Sequence, residues 1–314
     1  MAGVEWRDAW QDALYGPRGF YRDERGPHGH FTTATHGTAG AVLAGALALL
    51  AHEHGLTHVV DVGAGRGELL QHLHAADPGL RLTGVDVVDR PSALPAPVEW
   101  VTSPGGPELP TSLRQLSSAL VLAHEWLDVV PCTVGEVDTA LVLRTLEVDP
   151  TTGAETLGRP VDGPELAWAE VHWPTAEPGD RVEVGLSRDQ AWTALLERVH
   201  SGLAVAVDYG HRGGSRPLHG TLAAYRQGRE VTPVPDGSCD LTAHVAMDTL
   251  DHDDLLDQRT VLRGLGVNGA TPSFALAAQD PQAYLRALER SSASATLTAA
   301  GGFGDFLWAV KRVG

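Results

Sequence analysis

The sequence THVVDVGAGRGELLQHLHAADPGLRLTGVDV, residues 57–87, decides the fold. It begins with an apolar run that leads through Asp61 into a loop containing three glycines, and then continues as a segment of helical length. A second apolar run follows and ends at Asp86. Strand, tight loop, helix and strand in this order form a βαβ unit, in which the two strands lie parallel in one sheet. The stretch therefore predicts an α/β protein.

The glycine loop narrows the choice of ligand. Glycine allows a sharp turn and a close approach of a ligand to the main chain, and the N–H groups of the following helix can donate to that ligand. A dinucleotide site needs G-x-G-x-x-G, but after Gly63 and Gly65 the third glycine is Gly67, and Glu68 stands at the dinucleotide position. A phosphate loop needs Gly-Lys-Ser/Thr, and the only lysine is Lys311. The spacing D-x-G-x-G-x-G resembles instead motif I of S-adenosylmethionine-dependent methyltransferases.

Two carboxylates at strand ends suit this cofactor. Asp86 ends the second strand about 20 residues after the loop, where an acid accepts hydrogen bonds from ribose hydroxyls. We expect Asp61 near the methionine portion, beside its ammonium group. Within the loop, Gly63, Ala64, Gly65 and Gly67 are also predicted to bind the cofactor. The alternative is that the glycines only make a tight turn and that both acids are solvated strand ends.

Further apolar runs extend the sheet. Those at 98–102, 119–123 and 204–207 have the length of buried strands and are separated by helical segments. They predict a mostly parallel, Rossmann-like sheet with helices on both faces, as in class I methyltransferases. The last part of the chain is predicted to form helices near 240–250, 253–264 and 280–290, and then an antiparallel edge strand at 303–310.

Two regions interrupt this alternation. Residues 133–149 alternate apolar and polar side chains and predict a hairpin, and residues 162–200 add two helical stretches. Trp168, Trp173 and Trp192 are expected to form the core of this inserted region. No linker composition separates independent domains. The predicted organisation has N-terminal helices with a glycine-rich lid segment at 1–55, a Rossmann-like core at 56–132 and 201–314, and an inserted hairpin and helical cap at 133–200.

Composition excludes several functional classes. The 314-residue chain has a formal net charge of −17, which repels phosphate backbones and anionic lipids, so neither nucleic acid nor a membrane is expected as partner. Cys132 and Cys239 give no metal-binding spacing, and histidine pairs two residues apart complete no metal signature, so no metal site is predicted. The most apolar stretch, 39–51, is too short to cross a bilayer, and no secretory signal is evident. A cytoplasmic location is predicted.

Four segments together resemble one family. They are GPHGHFTTATHGTAG at 26–40, VVDVGAGRGELL at 59–70, LVLAHEWLDVVP at 120–131, and VAVDYGH at 205–211 followed by GTLAAYR and DLTAHVAMD. In this order they are similar to the MidA-type S-adenosylmethionine-dependent methyltransferases, whose eukaryotic members are linked to assembly of respiratory complex I. The resemblance covers about residues 15 to 312. It implies a protein substrate, and a subunit of a respiratory complex as a candidate partner.

Two departures from the family pattern lie outside the cofactor loop. The family's N-terminal motif is usually G-D-F-x-T-S, and this chain has His30 at the aspartate position. The fourth-strand motif usually begins Asn-Glu, and here it begins with His124. We expect Phe31 and Thr33, in the N-terminal motif, to fold over the cofactor as part of a mobile lid.

Candidate catalytic residues follow two strands. Glu125 and Asp128 lie just past the carboxyl end of the fourth strand, at the edge of an open α/β sheet that faces the ligand crevice. A nitrogen or oxygen acceptor must lose a proton during methyl transfer, and a carboxylate can take it. The alternative is that both acids cap a following helix. Asp208 and Tyr209 end the next strand on the same edge as secondary candidates, or they form a turn with a solvated acid and a packed tyrosine.

Three functions remain open from the sequence. The first is an S-adenosylmethionine-dependent methyltransferase that acts on a protein side chain, with arginine as first candidate because Glu125 and the acidic surface suit a basic substrate. The second is a non-catalytic assembly factor that keeps the fold, a possibility raised by His124 in place of asparagine. The third is a small-molecule methyltransferase, which a closed apolar pocket under the inserted cap would favour.

Overall fold

The computed structural model describes residues 3–22 and 34–314. The helices of these residues are α1 (Trp6–Tyr15), α2 (Gly37–Glu53), α3 (Glu68–Ala76), α4 (Gly163–His172), α5 (Leu186–Leu196), α6 (Gln258–Gly264), α7 (Phe274–Gln279) and α8 (Pro281–Leu297). The strands are β1 (Val4–Glu5), β2 (His58–Val62), β3 (Arg81–Asp86), β4 (Glu99–Thr102), β5 (Ala119–His124), β6 (Thr133–Val137), β7 (Leu143–Val148), β8 (Glu155–Pro160), β9 (Arg181–Val184), β10 (Gly202–Asp208), β11 (Gly210–His211), β12 (Ala223–Arg226), β13 (Arg229–Val231), β14 (Asp240–Thr242), β15 (Val245–Ala246), β16 (Asp254–Asp257) and β17 (Leu307–Val313).

A seven-stranded sheet forms the centre of the fold, with the strand order β16-β17-β10-β5-β2-β3-β4. Neighbouring strands from β10 to β4 are parallel, and β17 runs antiparallel to β10. The predicted Rossmann-like sheet is therefore confirmed. The antiparallel final strand is confirmed as well, but its edge position was wrong, because β16 pairs along its outer side.

Helices cover both faces of this sheet, and β2 and β5 are therefore buried along their whole length. Leu120 and Leu122 of β5 face a core built with α2, α3 and α8. Val121 and Ala123 point to the opposite face, where α5 packs with Trp192. Residues one apart on a strand point to opposite faces, so the residues of β5 alternate between these two cores.

The inserted region is more elaborate than the predicted hairpin. Strands β6 and β7 form the expected antiparallel pair, but they belong to a five-stranded sheet with β1, β8 and β9. Trp168 and Trp173 pack in the core of this sheet, as predicted. Trp192 does not: it lies on α5, against the central sheet. The helix that carries Trp192 thus belongs to the methyltransferase-like core and not to the insertion.

The N-terminal helix is tied to the insertion. Strand β1 pairs with β7, and the Trp6 indole N–H donates to Glu155 Oε1 at 2.7 Å. The Trp10 indole N–H donates to the carbonyl of Leu241 at 3.1 Å, so α1 also contacts β14. As a result, the end of α1 lies beside the carboxyl edge of the central sheet.

The C-terminal third corrects two helix predictions. Residues 240–250 contain β14, β15 and a short 3-10 turn instead of a helix, in keeping with the β-branched Thr242, Val245 and Thr249, which favour extended backbone. Within 253–264, β16 precedes α6, which begins where the Asp257 side chain accepts the Thr260 N–H at 2.9 Å. The helix predicted at 280–290 is confirmed as α8. Among the described helices, none is both long and apolar enough to cross a membrane.

Candidate cofactor and active site

The glycine loop between β2 and α3 adopts backbone angles that favour glycine at three points. Gly63, Gly65 and Gly67 have φ values of +77°, +59° and +77°. A Cβ on Gly67 would lie 2.6 Å from Leu94, so this glycine allows close packing behind the loop. Among the described residues, a Cβ on Gly65 would come within 4 Å only of Glu68 Oε2, at 3.7 Å. The loop thus presents its main chain to a cavity.

Asp86 joins this loop to the next strand. One carboxylate oxygen accepts the Gly65 N–H at 2.8 Å, and the other accepts the Val88 N–H at 3.3 Å. Burial raises the pKa of Asp86 to about 6, although the Gly65 hydrogen bond acts in the opposite direction. Each carboxylate oxygen has a second acceptor site, so Asp86 can also accept from ligand hydroxyls.

A second acid lies beneath the loop. Asp61 is buried, and burial together with the nearby carboxylates of Asp86 and Glu68 raises its pKa to about 8. Three acids around one loop repel one another when ionised. A ligand that brings positive charge and hydroxyl donors relieves this repulsion. The chemistry of these residues therefore fits the ammonium group and ribose of S-adenosylmethionine.

Two adjoining cavities open at the carboxyl edge of the sheet. The larger has a volume of about 540 Å³, within the usual range for small-molecule sites, and the smaller about 90 Å³. Gly63, Gly65, Arg66 and Glu125 line both, so they form the boundary between the two spaces.

Most of the predicted site residues meet at these cavities. The larger is lined by Gly63, Gly65, Asp86, Glu125, Asp128 and Tyr209, and the smaller by Asp61, Gly63, Ala64, Gly65 and Glu125. Gly67 and Asp208 line neither cavity. Phe31 and Thr33 lie outside the described residues, as does His30.

Glu125 has an unusual backbone. Its φ of 53° lies in the left-handed region, which is uncommon for a residue other than glycine and is concentrated at functional sites. The Glu125 N–H donates to the Val207 carbonyl at 2.9 Å, which fixes this conformation against β10. Burial and the neighbouring Asp128 carboxylate raise the pKa of Glu125 to about 8. The alternative of a helix cap is wrong, because the next regular element after β5 is the strand β6.

Asp128 is held by two hydroxyl groups. The Tyr209 hydroxyl and the Thr242 hydroxyl both donate to Asp128 Oδ2, the latter at 2.7 Å. Burial raises the pKa of Asp128, and these two hydrogen bonds oppose the shift. Burial, followed by the Asp128 carboxylate, raises the pKa of Tyr209 well above its usual value, so Tyr209 remains a hydrogen-bond donor. Asp128 Oδ1 is buried and makes no hydrogen bond within the described chain.

Asp208 lies beneath the site. Its Oδ2 accepts the N–H groups of Leu127 at 3.1 Å and of Asp128 at 3.3 Å, and its side chain is fully buried. The alternative of a solvated acid in a turn is therefore wrong. The contacts make Asp208 a positioning residue for the loop after β5.

Arg188 is a structural element of the site that sequence reasoning missed. Its guanidinium is fully buried and donates to the carbonyls of Val130 at 3.1 Å, His244 at 2.9 Å and Asp128 at 2.9 Å. These bonds join α5 to the loop after β5 and to the segment after β14.

We expect Arg188→Met to destabilise the protein by about 3 kcal/mol, since it leaves three buried carbonyl groups without their donors. Urea unfolding monitored by circular dichroism measures the change. Arg114→Met, at an exposed arginine, is the control and should alter stability by less than about 0.5 kcal/mol. Equal stability of the two variants would contradict the role of Arg188.

Aromatic residues from the N-terminal segment line the larger cavity, and nothing in the sequence pointed to them. The Tyr15 hydroxyl donates to the Val129 carbonyl at 3.1 Å. The Tyr21 hydroxyl donates to Asp240 Oδ1 at 2.7 Å, and burial raises the pKa of Asp240 to about 8. None of the described residues from 133 to 200 lines either cavity. The inserted sheet thus supports the cavity wall from outside.

The geometry defines the class of protein: a Rossmann-like fold with a glycine loop and strand-end acids beside an acidic cavity, an arrangement that suits a nucleoside cofactor. A protein-family model described as "Putative S-adenosyl-L-methionine-dependent methyltransferase" matches residues 74–262. This is more than half of the chain, and the chain belongs to this family. It is an S-adenosyl-L-methionine-dependent methyltransferase. The glycine loop precedes the matched residues, so its assignment rests on the geometry above.

Two crystal structures from Burkholderia thailandensis share the fold. One, of a protein bound to S-adenosylhomocysteine, is 22% identical, with 98% of this chain and 87% of that chain covered and a TM-score of 0.75. The other, a native structure of a protein of the same superfamily, is 21% identical, with 99% and 87% covered and a TM-score of 0.76. Among curated proteins, none matches this sequence.

Proposed function

We propose that this enzyme methylates a protein side chain and that the acceptor is a guanidinium nitrogen of arginine. The observation that carries the proposal is the set of three carboxyl groups that line the larger cavity: the buried Asp128 and Asp240, and Glu125, whose side chain is 20% exposed. Burial raises the pKa of each. Buried acids of this kind are stabilised as carboxylates by a cationic partner, and a planar guanidinium can donate to two of them at once.

Glu125 is the proposed general base. When bound, S-adenosylmethionine supplies a methyl group on a positively charged sulfur, open to in-line attack. Glu125 lies on the boundary between the two cavities, and its pKa of about 8 suits proton transfer near neutral pH. Its carboxylate takes the proton that the acceptor nitrogen releases. The Asp128 carboxylate, which also lines the larger cavity, accepts a second N–H of the acceptor and thereby orients it.

The glycine loop and the two strand-end acids hold the cofactor in this proposal. The main chain of Gly63, Ala64 and Gly65 borders the ligand, and Asp86 accepts from the ribose hydroxyls. Asp61 pairs with the ammonium group of the methionine portion. Gly67 shapes the start of α3. The lid role expected for Phe31 and Thr33 stays a prediction.

We further propose that the enzyme is of MidA type and methylates a subunit of a respiratory complex in the cytoplasm. The order of the four motifs and the residues within them support this, and the family match over residues 74–262 is consistent with it. The net charge of −17 also favours a basic segment of a partner protein.

Labelled-methyl transfer tests the acceptor. Purified enzyme and S-adenosylmethionine with a tritiated methyl group are incubated with lysate of cells from which the gene has been deleted, and the protein fraction is hydrolysed to amino acids. Radioactivity in methylarginine is the expected result. Label confined to small molecules, or to another amino acid, would contradict the proposal. Excess S-adenosylhomocysteine, which competes for the cofactor site, is the control.

The assignment of Asp61 predicts pH-dependent binding. Since a proton on Asp61 competes with the cofactor ammonium, the affinity for S-adenosylhomocysteine should rise by up to about tenfold per pH unit from about pH 6 to about pH 8. Isothermal calorimetry measures this slope. The slope should become shallower in Asp61→Asn, because the amide does not titrate. It should not vanish, since Asp86, with a pKa of about 6, and Glu125 still titrate.

Methylthioadenosine, which lacks the ammonium group, provides the control ligand. Its affinity should show the same pH dependence in the native protein and in Asp61→Asn. Identical slopes for S-adenosylhomocysteine in the two proteins would rule out the pairing with Asp61.

A further inference from the structure

A buried histidine ends β5 directly before Glu125. The side chain of His124 is only 3% exposed, and neither ring nitrogen makes a hydrogen bond with any described residue. Buried polar atoms in native proteins nearly always have a partner, because leaving one without a partner costs about 1–3 kcal/mol. Packing alone therefore does not account for an imidazole at this position.

The imidazole faces the smaller cavity. His124 lines this cavity together with Asp61 and the glycine loop. The register of the sheet places both side chains on one face: Asp61 lies beside Leu122 of β5, and His124 follows two residues later. Glu125 Oε1 approaches His124 Nδ1 to 3.5 Å, and the Phe306 ring lies 6.5 Å from the imidazole.

The charge state of His124 limits what it can bind. Burial lowers its pKa to about 4, so the ring is neutral at physiological pH. A neutral imidazole has one N–H donor and one acceptor nitrogen. The smaller cavity is lined by the acids Asp61 and Glu68 and by Arg66, and His124 adds a neutral donor to this set. The amino-acid end of the cofactor combines a carboxylate, which needs a donor, with an ammonium group, which needs acceptors.

We propose that His124 binds the amino-acid end of S-adenosylmethionine in the smaller cavity, donating its ring N–H to the carboxylate while Asp61 faces the ammonium group. The histidine that replaces the family's asparagine is then a functional substitution, because both side chains carry a donor and an acceptor. The proposal concerns cofactor binding alone. It stands or falls independently of the arginine acceptor, since its test contains no acceptor.

Two ligands that differ only at the amino-acid end test this. Calorimetry compares S-adenosylhomocysteine with methylthioadenosine on the native protein and on His124→Ala. We expect the affinity for S-adenosylhomocysteine to fall about tenfold or more and that for methylthioadenosine to change by less than about twofold. His124→Asn, which restores a donor and an acceptor, should recover most of the loss.

A matched control separates binding from folding. His58 is also buried, but it bonds to the Thr83 hydroxyl at 2.9 Å and lines neither cavity. His58→Ala should leave the ratio of the two affinities unchanged even if it lowers stability. Equal weakening of both ligands by His124→Ala would overturn the proposal, and so would an undiminished affinity for S-adenosylhomocysteine. The circular dichroism spectrum of each variant, compared with that of the native protein, verifies that the variant is folded.

Discussion

Glu125→Gln should reduce methyl transfer by at least about 100-fold, whereas the affinity for S-adenosylhomocysteine should stay within about threefold of the native value. The amide keeps the shape of the side chain but cannot take the proton that the acceptor nitrogen loses. Because the base must be ionised, the native rate should rise with pH up to about 8, the pKa of Glu125. Initial rates with labelled cofactor, measured across this pH range for both proteins, give the reduction in methyl transfer and the pH dependence of the native rate.

The control is a carboxylate-to-amide change outside both cavities. Asp189 accepts hydrogen bonds from the Trp168 indole and the Thr249 hydroxyl, and burial raises its pKa. Asp189→Asn should preserve turnover. Unchanged turnover in Glu125→Gln would remove Glu125 from the catalytic site. A residual activity in that variant that kept the native pH profile would assign the titration to another group.

Local sequence signals were sufficient to locate the residues that are proposed to hold the cofactor. The glycines, Asp61 and Asp86 fall within one βαβ unit, where strand, loop and helix are specified by neighbouring residues. The carboxyl ends of parallel strands meet at one edge, so the position of Glu125 after β5 could also be inferred.

The other features of the site depend on contacts between segments that are far apart in the sequence, and local patterns do not predict these. Arg188 lies 60 residues from its acceptor Asp128 in sequence, and no local pattern marks a buried arginine. Tyr15 reaches the cavity because α1 is held by the inserted sheet, through a pairing of β1 with β7 that joins distant parts of the chain. Residues 240–250 contain enough Ala, Leu and Met to suggest a helix, but tertiary pairing of β14 with β12 prevails over that weak preference.

Asp208 shows the limit of inference from position alone. It ends β10 at the predicted edge, as a catalytic acid would. Whether such a side chain points to the ligand or back into the protein depends on the loop above it. Here the N–H groups of Leu127 and Asp128 donate hydrogen bonds to its carboxylate, which therefore points back into the protein. Its neighbour Tyr209 reaches the cavity and holds Asp128 instead.

The second large effect is expected at the glycine loop. Gly65→Leu should weaken S-adenosylhomocysteine binding by more than about 100-fold, because the new side chain would occupy space that the cofactor needs. Among the described residues, a Cβ at this position comes within 4 Å only of Glu68 Oε2, at 3.7 Å. Loss of binding should therefore occur in a folded protein, which calorimetry and thermal unfolding together can establish.

Gly55→Leu provides the control for backbone strain. Gly55 has a φ of +64°, close to the +59° of Gly65, and no atom of the described residues lies within 4 Å of a Cβ placed there. Both substitutions should cost about 1–2 kcal/mol of stability, because a side chain in the left-handed region is strained. Only Gly65→Leu should lose the cofactor, since Gly55 follows α2 and lines neither cavity. If both variants bound S-adenosylhomocysteine equally well, the open space at Gly65 would not be the cofactor site.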